Sequence, residues 1–260
     1  MKVLCLRTAG TNCDRELVEA FERAGAAVEL WPAKRLFEHP EELRRFRILG
    51  LPGGFTYGDD LGAGRIFALE LRAFLGEHLR RFVDDGGYVL GVCNGFQILV
   101  QTGLLPALPA SQIENEAERA VSLVPNDSRR FECRWVHLRA EKSRCRFLRH
   151  GTVIPMPVAH AEGKFVVRDA ATLEALRRNG QIAFRYCTAS GESPSYPEDP
   201  NGSVEQIAGI CDPSGRVLGL MPHPERNVTP FQHPWWTRLG PRQEGEGLAL
   251  FRDLVDAAKG

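Results

Sequence analysis

The sequence predicts an α/β fold: a mostly parallel central sheet flanked by helices, with an antiparallel accessory section. Three observations carry this. Short apolar runs alternate with helical-period segments through residues 2–101, and such β-α-β alternation implies right-handed crossovers and a parallel sheet. Glycines close the segments, as Gly25 and Gly86-Gly87 do, where a chain must turn with positive φ. Beyond residue 130, apolar and polar positions alternate in short runs, the signature of half-buried antiparallel strands.

In chain order, residues 2–6 form an apolar strand. Thr11 or Asn12 can cap a helix with Asp14 and Glu16 in its first turn and Leu17, Ala20, Phe21 and Ala24 at helical spacing. A second strand is expected over 27–31, a short helix begun by Pro40 over 39–46, and a third strand over 48–51. The loop Pro52-Gly53-Gly54-Phe55-Thr56-Tyr57-Gly58-Asp59-Asp60 follows, at the strand end where open α/β sheets bind ligands. Its glycine pair alone fits a flexible turn as well as a close backbone approach to a ligand. A long amphipathic helix over 66–83 leads to a strand over 88–92 and a helix over 94–101. Residues 111–118 are polar and poorly periodic; strands are expected at 131–138, 153–158, 164–168 and 181–187, with a helix at 171–178 between the last two. The segment 188–203, rich in Pro, Ser, Gly, Asp and Asn, reads as the least ordered part of the chain. Runs at 204–211 and 216–221 flank the turn Asp212-Pro213-Ser214-Gly215 and make a hairpin. A Pro- and aromatic-rich loop over 230–241, with Trp235-Trp236, leads to a closing helix over 246–258. No internal repeat is present, and one domain over residues 1–260 is expected.

Composition removes several function classes. Lysine plus arginine equals aspartate plus glutamate, 33 each, so no net field draws the chain to nucleic acid or an anionic membrane. Arg44-Arg45 and Arg177-Arg178 read as solvated helix faces. The opening apolar run is too short for a signal peptide and no stretch is long enough to cross a bilayer, so a cytoplasmic chain is expected. The seven cysteines are odd in number, scattered and never in Cys-x-x-Cys spacing, which argues for reduced thiols. His137 between Cys133 and Cys145 fits no common zinc spacing, so no metal site is expected.

The stretch Tyr88-Val89-Leu90-Gly91-Val92-Cys93-Asn94-Gly95-Phe96-Gln97 organises the chemistry. It reads as a strand-to-helix elbow that holds a nucleophile at its tip, here Cys93. The N–H groups after Cys93 open a helix, whose positive end favours a thiolate and an adjacent oxyanion. Gly-x-Cys-x-Gly alone fits a buried structural cysteine equally well. A thiol with a pKa of about 8.5 needs a base, and the base needs an acceptor to orient it. His223-Pro224-Glu225 supplies both. On extended backbone, residues i and i+2 share a side, so Glu225 is expected to accept from one ring nitrogen of His223 while the other faces Cys93. His39 and His233 also neighbour proline; the acid two residues on, after an apolar strand, distinguishes His223.

Gly91-Val92-Cys93-Asn94-Gly95-Phe96-Gln97 together with His223-Pro224-Glu225 resembles the class I (triad) glutamine amidotransferases. More narrowly, the chain resembles the glutaminase subunits of phosphoribosylformylglycinamidine synthase. The narrower likeness rests on Gly10-Thr11-Asn12-Cys13-Asp14, the segment 51–59, Cys133-Arg134-Trp135, His160-Ala161-Glu162-Gly163, Asn201-Gly202-Ser203 and the segment 219–226. Ala161, where the family often has Gly, and the longer tail around Trp235-Trp236 depart from the pattern. The resemblance implies a flavodoxin-like sheet and a thioester mechanism on Cys93, His223 and Glu225. It also implies an oxyanion hole of the Gly54 and Asn94 backbone N–H groups, and a substrate contact from Gln97. No cofactor is implied in this subunit. ATP and Mg are expected on a partner synthetase subunit of the PurL type, with a small third subunit of the PurS type. Consistent with that, Gly53-Gly54 lacks the Gly-Lys-Ser/Thr of a P-loop. Two competing readings are a glutaminase feeding another synthetase and a non-catalytic binding subunit of the same fold. Thr11-Asn12-Cys13-Asp14 with 55–59 argues against the first, and the intact Cys93, His223 and Glu225 against the second.

Overall fold

The structure is a computed structural model that describes residues 1–108 and 119–260. The polar stretch 111–118 lies outside the described residues. In chain order the strands are β1 (Lys2–Arg7), β2 (Ala27–Pro32), β3 (Ile48–Leu51), β4 (Tyr88–Val92), β5 (Val121–Val124), β6 (Glu132–Ala140), β7 (Val153–His160), β8 (Lys164–Val167), β9 (Ile182–Cys187), β10 (Ile207–Cys211) and β11 (Val217–Leu220). The helices are α1 (Asp14–Arg23), α2 (Ala33–Glu38), α3 (Arg65–Asp84), α4 (Asn94–Thr102), α5 (Ala170–Arg178) and α6 (Leu248–Ala257). Among the described residues, nine strands form one sheet in the order β2-β1-β3-β4-β11-β10-β9-β6-β7, and β5 pairs β8 in a separate ribbon.

The first five strands of that order are mutually parallel. β3, β4 and β11 are buried at every residue, which is why they read as unbroken apolar runs. From β1 the chain moves outward to β2 and then returns past β1 to β3 and β4. Right-handed crossovers in opposite directions put α1 and α3 on opposite faces. α6 packs beside α1 through Phe21 and Phe251, whose ring centroids are 5.1 Å apart. From β10 onward each neighbour is antiparallel. No helix is long and apolar enough to cross a membrane among the described residues.

Several local expectations are corrected. Neither Thr11 nor Asn12 caps α1: Cys13 holds the cap position, and the Asn12 side-chain Oδ1 accepts from the Cys13 thiol at 3.2 Å. The expected helix at 39–46 is a 3-10 turn, Pro40–Arg45, preceded by the unanticipated α2. After Pro40 that turn holds two acids, two arginines and one buried leucine, too little apolar face to lock a longer α-helix. The strand expected to start at 204 starts at Ile207, because Glu205 turns with φ 50°. β5 also went unanticipated; at four residues it shows alternating burial but little period.

The segment 188–203 is tied down by its end. Asn201 Nδ2 donates to the Gly163 carbonyl at 2.9 Å and to the Tyr186 hydroxyl at 3.1 Å, and Ser203 Oγ accepts from Phe165 N–H at 2.9 Å. Composition was a poor guide here because the anchors are side-chain hydrogen bonds, which leave no periodic trace.

Candidate active site

The site lies at the carboxyl ends of β3, β4 and β11. Cys93 stands at the tip of the elbow with φ 53° and ψ −107°, a conformation that costs a non-glycine residue about 1–3 kcal/mol. Its surroundings hold it there. Cys93 N–H donates to Leu220 O at 2.8 Å, and its own carbonyl accepts from Phe96 and Gln97 at 2.9 and 3.1 Å. Gly95 permits the turn, since a Cβ there would sit 2.0 Å from Leu51 O.

Register delivers the base. β11 pairs β4 with Leu220 opposite Val92, so the residues after each strand emerge side by side. His223 N–H is fixed on Pro157 O of β7 at 2.9 Å. Its Nδ1 lies 2.6 Å from Glu225 Oε1, both side chains being essentially inaccessible. The contact forms across a 3-10 turn, Pro224–Arg226, and not along the extended backbone expected from the sequence. Proline's fixed φ suits the first position of such a turn, and Asn227 N–H closes it on Pro224 O at 3.1 Å.

Burial disfavours a charged His223 imidazole, but the Glu225 carboxylate and the neighbouring Cys93 outweigh burial and raise its pKa well above the usual 6.5. Side-chain contacts of the ring with Cys13 and Cys93 raise it further; Cys93 Sγ also lies 3.7 Å from Ala159 O.

The glycine loop sits opposite. Gly54 has φ +135°, and a Cβ there would lie 2.7 Å from Asn12 N and 2.9 Å from Gly10 O. Residues 9–13 pair against it through Phe55 N–H to Gly10 O at 2.9 Å, Tyr57 N–H to Ala9 O at 2.8 Å and Cys13 N–H to Gly53 O at 3.3 Å. Among the described residues no hydrogen bond takes the N–H of Gly54 or of Asn94, the first residue of α4, where a helix leaves its donors free.

The Asn94 side chain is buried and accepts from Thr56 N–H and Oγ1 at 3.3 and 2.8 Å. It donates to Asp59 Oδ1 at 3.2 Å and Gln97 Oε1 at 2.9 Å. Burial raises the Asp59 carboxyl pKa, against the lowering effect of the Gly64 and Asn94 donors. Gln97 is held at both ends of its amide, since Nε2 donates to Glu162 O at 2.7 Å.

Sequence reasoning assigned no role to two residues of this centre. His160 is buried beside His223, and burial followed by the His223 charge lowers its pKa to about 3. Cys13 is buried and accepts from Arg226 Nη2 at 2.9 Å. Both stand in the motifs 10–14 and 160–163, which is the only signal the sequence offers for them. Trp235 and Trp236 are 63% and 46% exposed, so neither belongs to the core.

Residues 1–256 match the CobB/CobQ-like glutamine amidotransferase domain. The phosphoribosylformylglycinamidine synthase subunit PurQ of Dehalococcoides mccartyi is 43% identical, covering 100% of this chain and 98% of the relative. The corresponding subunit of Archaeoglobus fulgidus is 39% identical over 98% of this chain and 96% of the relative. The structure of PurLQS from Thermotoga maritima superposes with TM-score 0.71 at 28% identity, covering 98% of this chain and 97% of that one.

Proposed function

The chain belongs to the CobB/CobQ-like glutamine amidotransferase family, and from that membership and the geometry of the elbow we propose how it hydrolyses glutamine. It works as the glutaminase subunit of phosphoribosylformylglycinamidine synthase in purine biosynthesis, together with PurL- and PurS-type subunits.

Cys93 Sγ attacks the side-chain amide carbon of glutamine, and His223 takes the thiol proton. Glu225 holds the imidazole in the tautomer that carries hydrogen on Nδ1 and stabilises its charged form. The tetrahedral oxyanion is met by the Gly54 and Asn94 N–H groups; one such donor is worth about 10²–10³ in rate. His223 returns its proton to the departing nitrogen, releasing ammonia. Water then hydrolyses the thioester to glutamate. Gln97 shapes the substrate pocket, clamped between Asn94 and Glu162.

Ammonia passes to the synthetase subunit, on which ATP and Mg2+ act. The subunit itself needs no cofactor for this chemistry, and its place of work is the cytoplasm.

The observation that carries the mechanism is the buried 2.6 Å pair of His223 and Glu225 next to the strained Cys93. Treatment with the glutamine-like electrophile diazo-oxonorleucine, followed by mass spectrometry, tests it. One adduct on Cys93, prevented by excess glutamine, is expected. Absence of a Cys93 adduct, even with the synthetase subunit present, makes the elbow structural.

A further inference from the structure

The mechanism above leaves one buried group beside the catalytic base without a task. Cys13 stands at the start of α1. Its N–H donates to Gly53 O at 3.3 Å and its carbonyl accepts from Leu17 N–H at 3.1 Å, so the glycine loop and the helix fix its backbone. Its thiol donates to Asn12 Oδ1 at 3.2 Å, and its sulfur accepts from Arg226 Nη2 at 2.9 Å. Arg226 is itself tied to the catalytic turn, since its N–H donates to His223 O at 3.2 Å. The sulfur lies within 4.8 Å of a His223 ring nitrogen. A Cβ on Gly53 would lie 3.3 Å from Cys13 Sγ and 2.8 Å from His223 Cε1, so the glycine leaves no side chain between thiol and ring.

Nδ1 of His223 is taken by Glu225, so the contacts of the ring with Cys13 and Cys93 fall to Nε2. No oxygen or nitrogen among the described residues partners that buried atom. We propose that Cys13 is a positioning residue of the reaction: its sulfur is a second acceptor for the His223 Nε2–H, and it holds the ring in its charged form between taking the Cys93 proton and passing it to the departing nitrogen. Cys93 cannot do this alone, because its sulfur loses its charge on bonding the amide carbon and is then a weak acceptor. A buried N–H left without an acceptor bears its full desolvation penalty, the more so when charged. The S–H of Cys13 points at Asn12 and one lone pair at Arg226, which leaves the other for the ring. The remaining groups around His223 do not replace it. Glu225 acts through Nδ1, His160 of β7 is neutral with a pKa lowered to about 3, and the Arg226 charge is offset by Glu16 of α1 at 3.7 Å.

The role in turnover rests on the hydrolytic reading; the contact with the ring does not, so both are measured. In the complex with the synthetase subunit, the alkaline limb of kcat/KM against pH reports loss of the His223 proton. Cys13→Ala and the volume-matched Cys13→Val are expected to move that limb to lower pH by about one unit or more, as loss of a hydrogen bond to a charged group would, and to lower kcat roughly 10-fold. Cys13→Ser, whose hydroxyl also accepts, restores most of both. A sulfur that only packs would lower the rate equally at every pH. Thermal melts confirm that each variant is folded. A limb displaced by less than about 0.3 unit without the sulfur, or displaced as far in Cys13→Ser, overturns the proposal. Nitrogen-15 NMR of the full-length chain labelled on histidine follows the ring directly, its signals identified by their loss in His223→Asn. Its titration is expected at lower pH in Cys13→Ala than in the wild type. An unmoved ring titration overturns the proposal whether or not glutamine is hydrolysed. A shifted titration in a complex that hydrolyses no glutamine keeps the pairing of Cys13 with His223 and removes the hydrolytic reading.

Discussion

Acidification strips stability from this fold through one buried histidine, and the amount follows from the contacts of His160. Asn126 Oδ1 accepts from Gly163 N–H at 3.0 Å and lies 3.1 Å from His160 Nδ1. An oxygen can only accept, so Nδ1 carries the hydrogen and Nε2 is a bare lone pair. Protonation would place an N–H on Nε2, which is buried without a partner among the described residues, next to a charged His223. The pKa therefore falls from 6.5 to about 3. With the folded value below the unfolded one, the unfolded chain takes the proton first. Stability is intact above about pH 6.5 and is lost as pH falls toward 3. Integrating between about pH 7.5 and about pH 4.5 gives a loss on the order of 3 kcal/mol from this residue alone. The raised pKa of His223 acts in the opposite sense: its contribution is fully present below about pH 6.5 and is lost only as pH rises through its folded value. It stays flat across the acid limb. His160→Asn keeps a donor near Nδ1 and cannot titrate. Urea unfolding of both proteins at the two pH values isolates the term, since the titrating groups common to both proteins cancel. A wild-type excess loss below about 1.4 kcal/mol, the worth of one pKa unit, refutes the reasoning.

Three further outcomes are expected. Glu225→Gln removes the acceptor that fixes the His223 tautomer, and steady-state glutaminase assays should show kcat reduced on the order of 10²–10⁴-fold with KM little changed; an unchanged kcat contradicts the orienting role. Gly54→Ala forces a Cβ to within 2.7 Å of Asn12 N and displaces an oxyanion donor, so kcat should drop on the order of 10²–10³-fold, while diazo-oxonorleucine still finds Cys93. Trp235→Ala touches an exposed side chain and should shift denaturation by less than about 0.5 kcal/mol; a larger loss would mean that the tryptophan packs the isolated chain.

The sequence by itself determined the parallel half of the fold and the chemistry at its centre. Fully buried strands such as 48–51 and 88–92 announce themselves as continuous apolar runs, because water touches neither face. Cys93 was legible because a sharp strand-to-helix turn leaves glycines at fixed offsets, and His223 with Glu225 because an acid two residues past a histidine follows an apolar strand. Tertiary structure decided what surrounds them. The antiparallel strands looked like an accessory, yet β7 passes over the site: Pro157 O anchors His223 and Ala159 O faces Cys93. Pairings between residues 66 or more positions apart leave no local period in a sequence. The environments of His160 and Cys13 were invisible for the same reason. Neither a depressed imidazole pKa nor a thiol wedged against Gly53 is a property of neighbours in the chain; both arise from burial and from charges that only folding brings together.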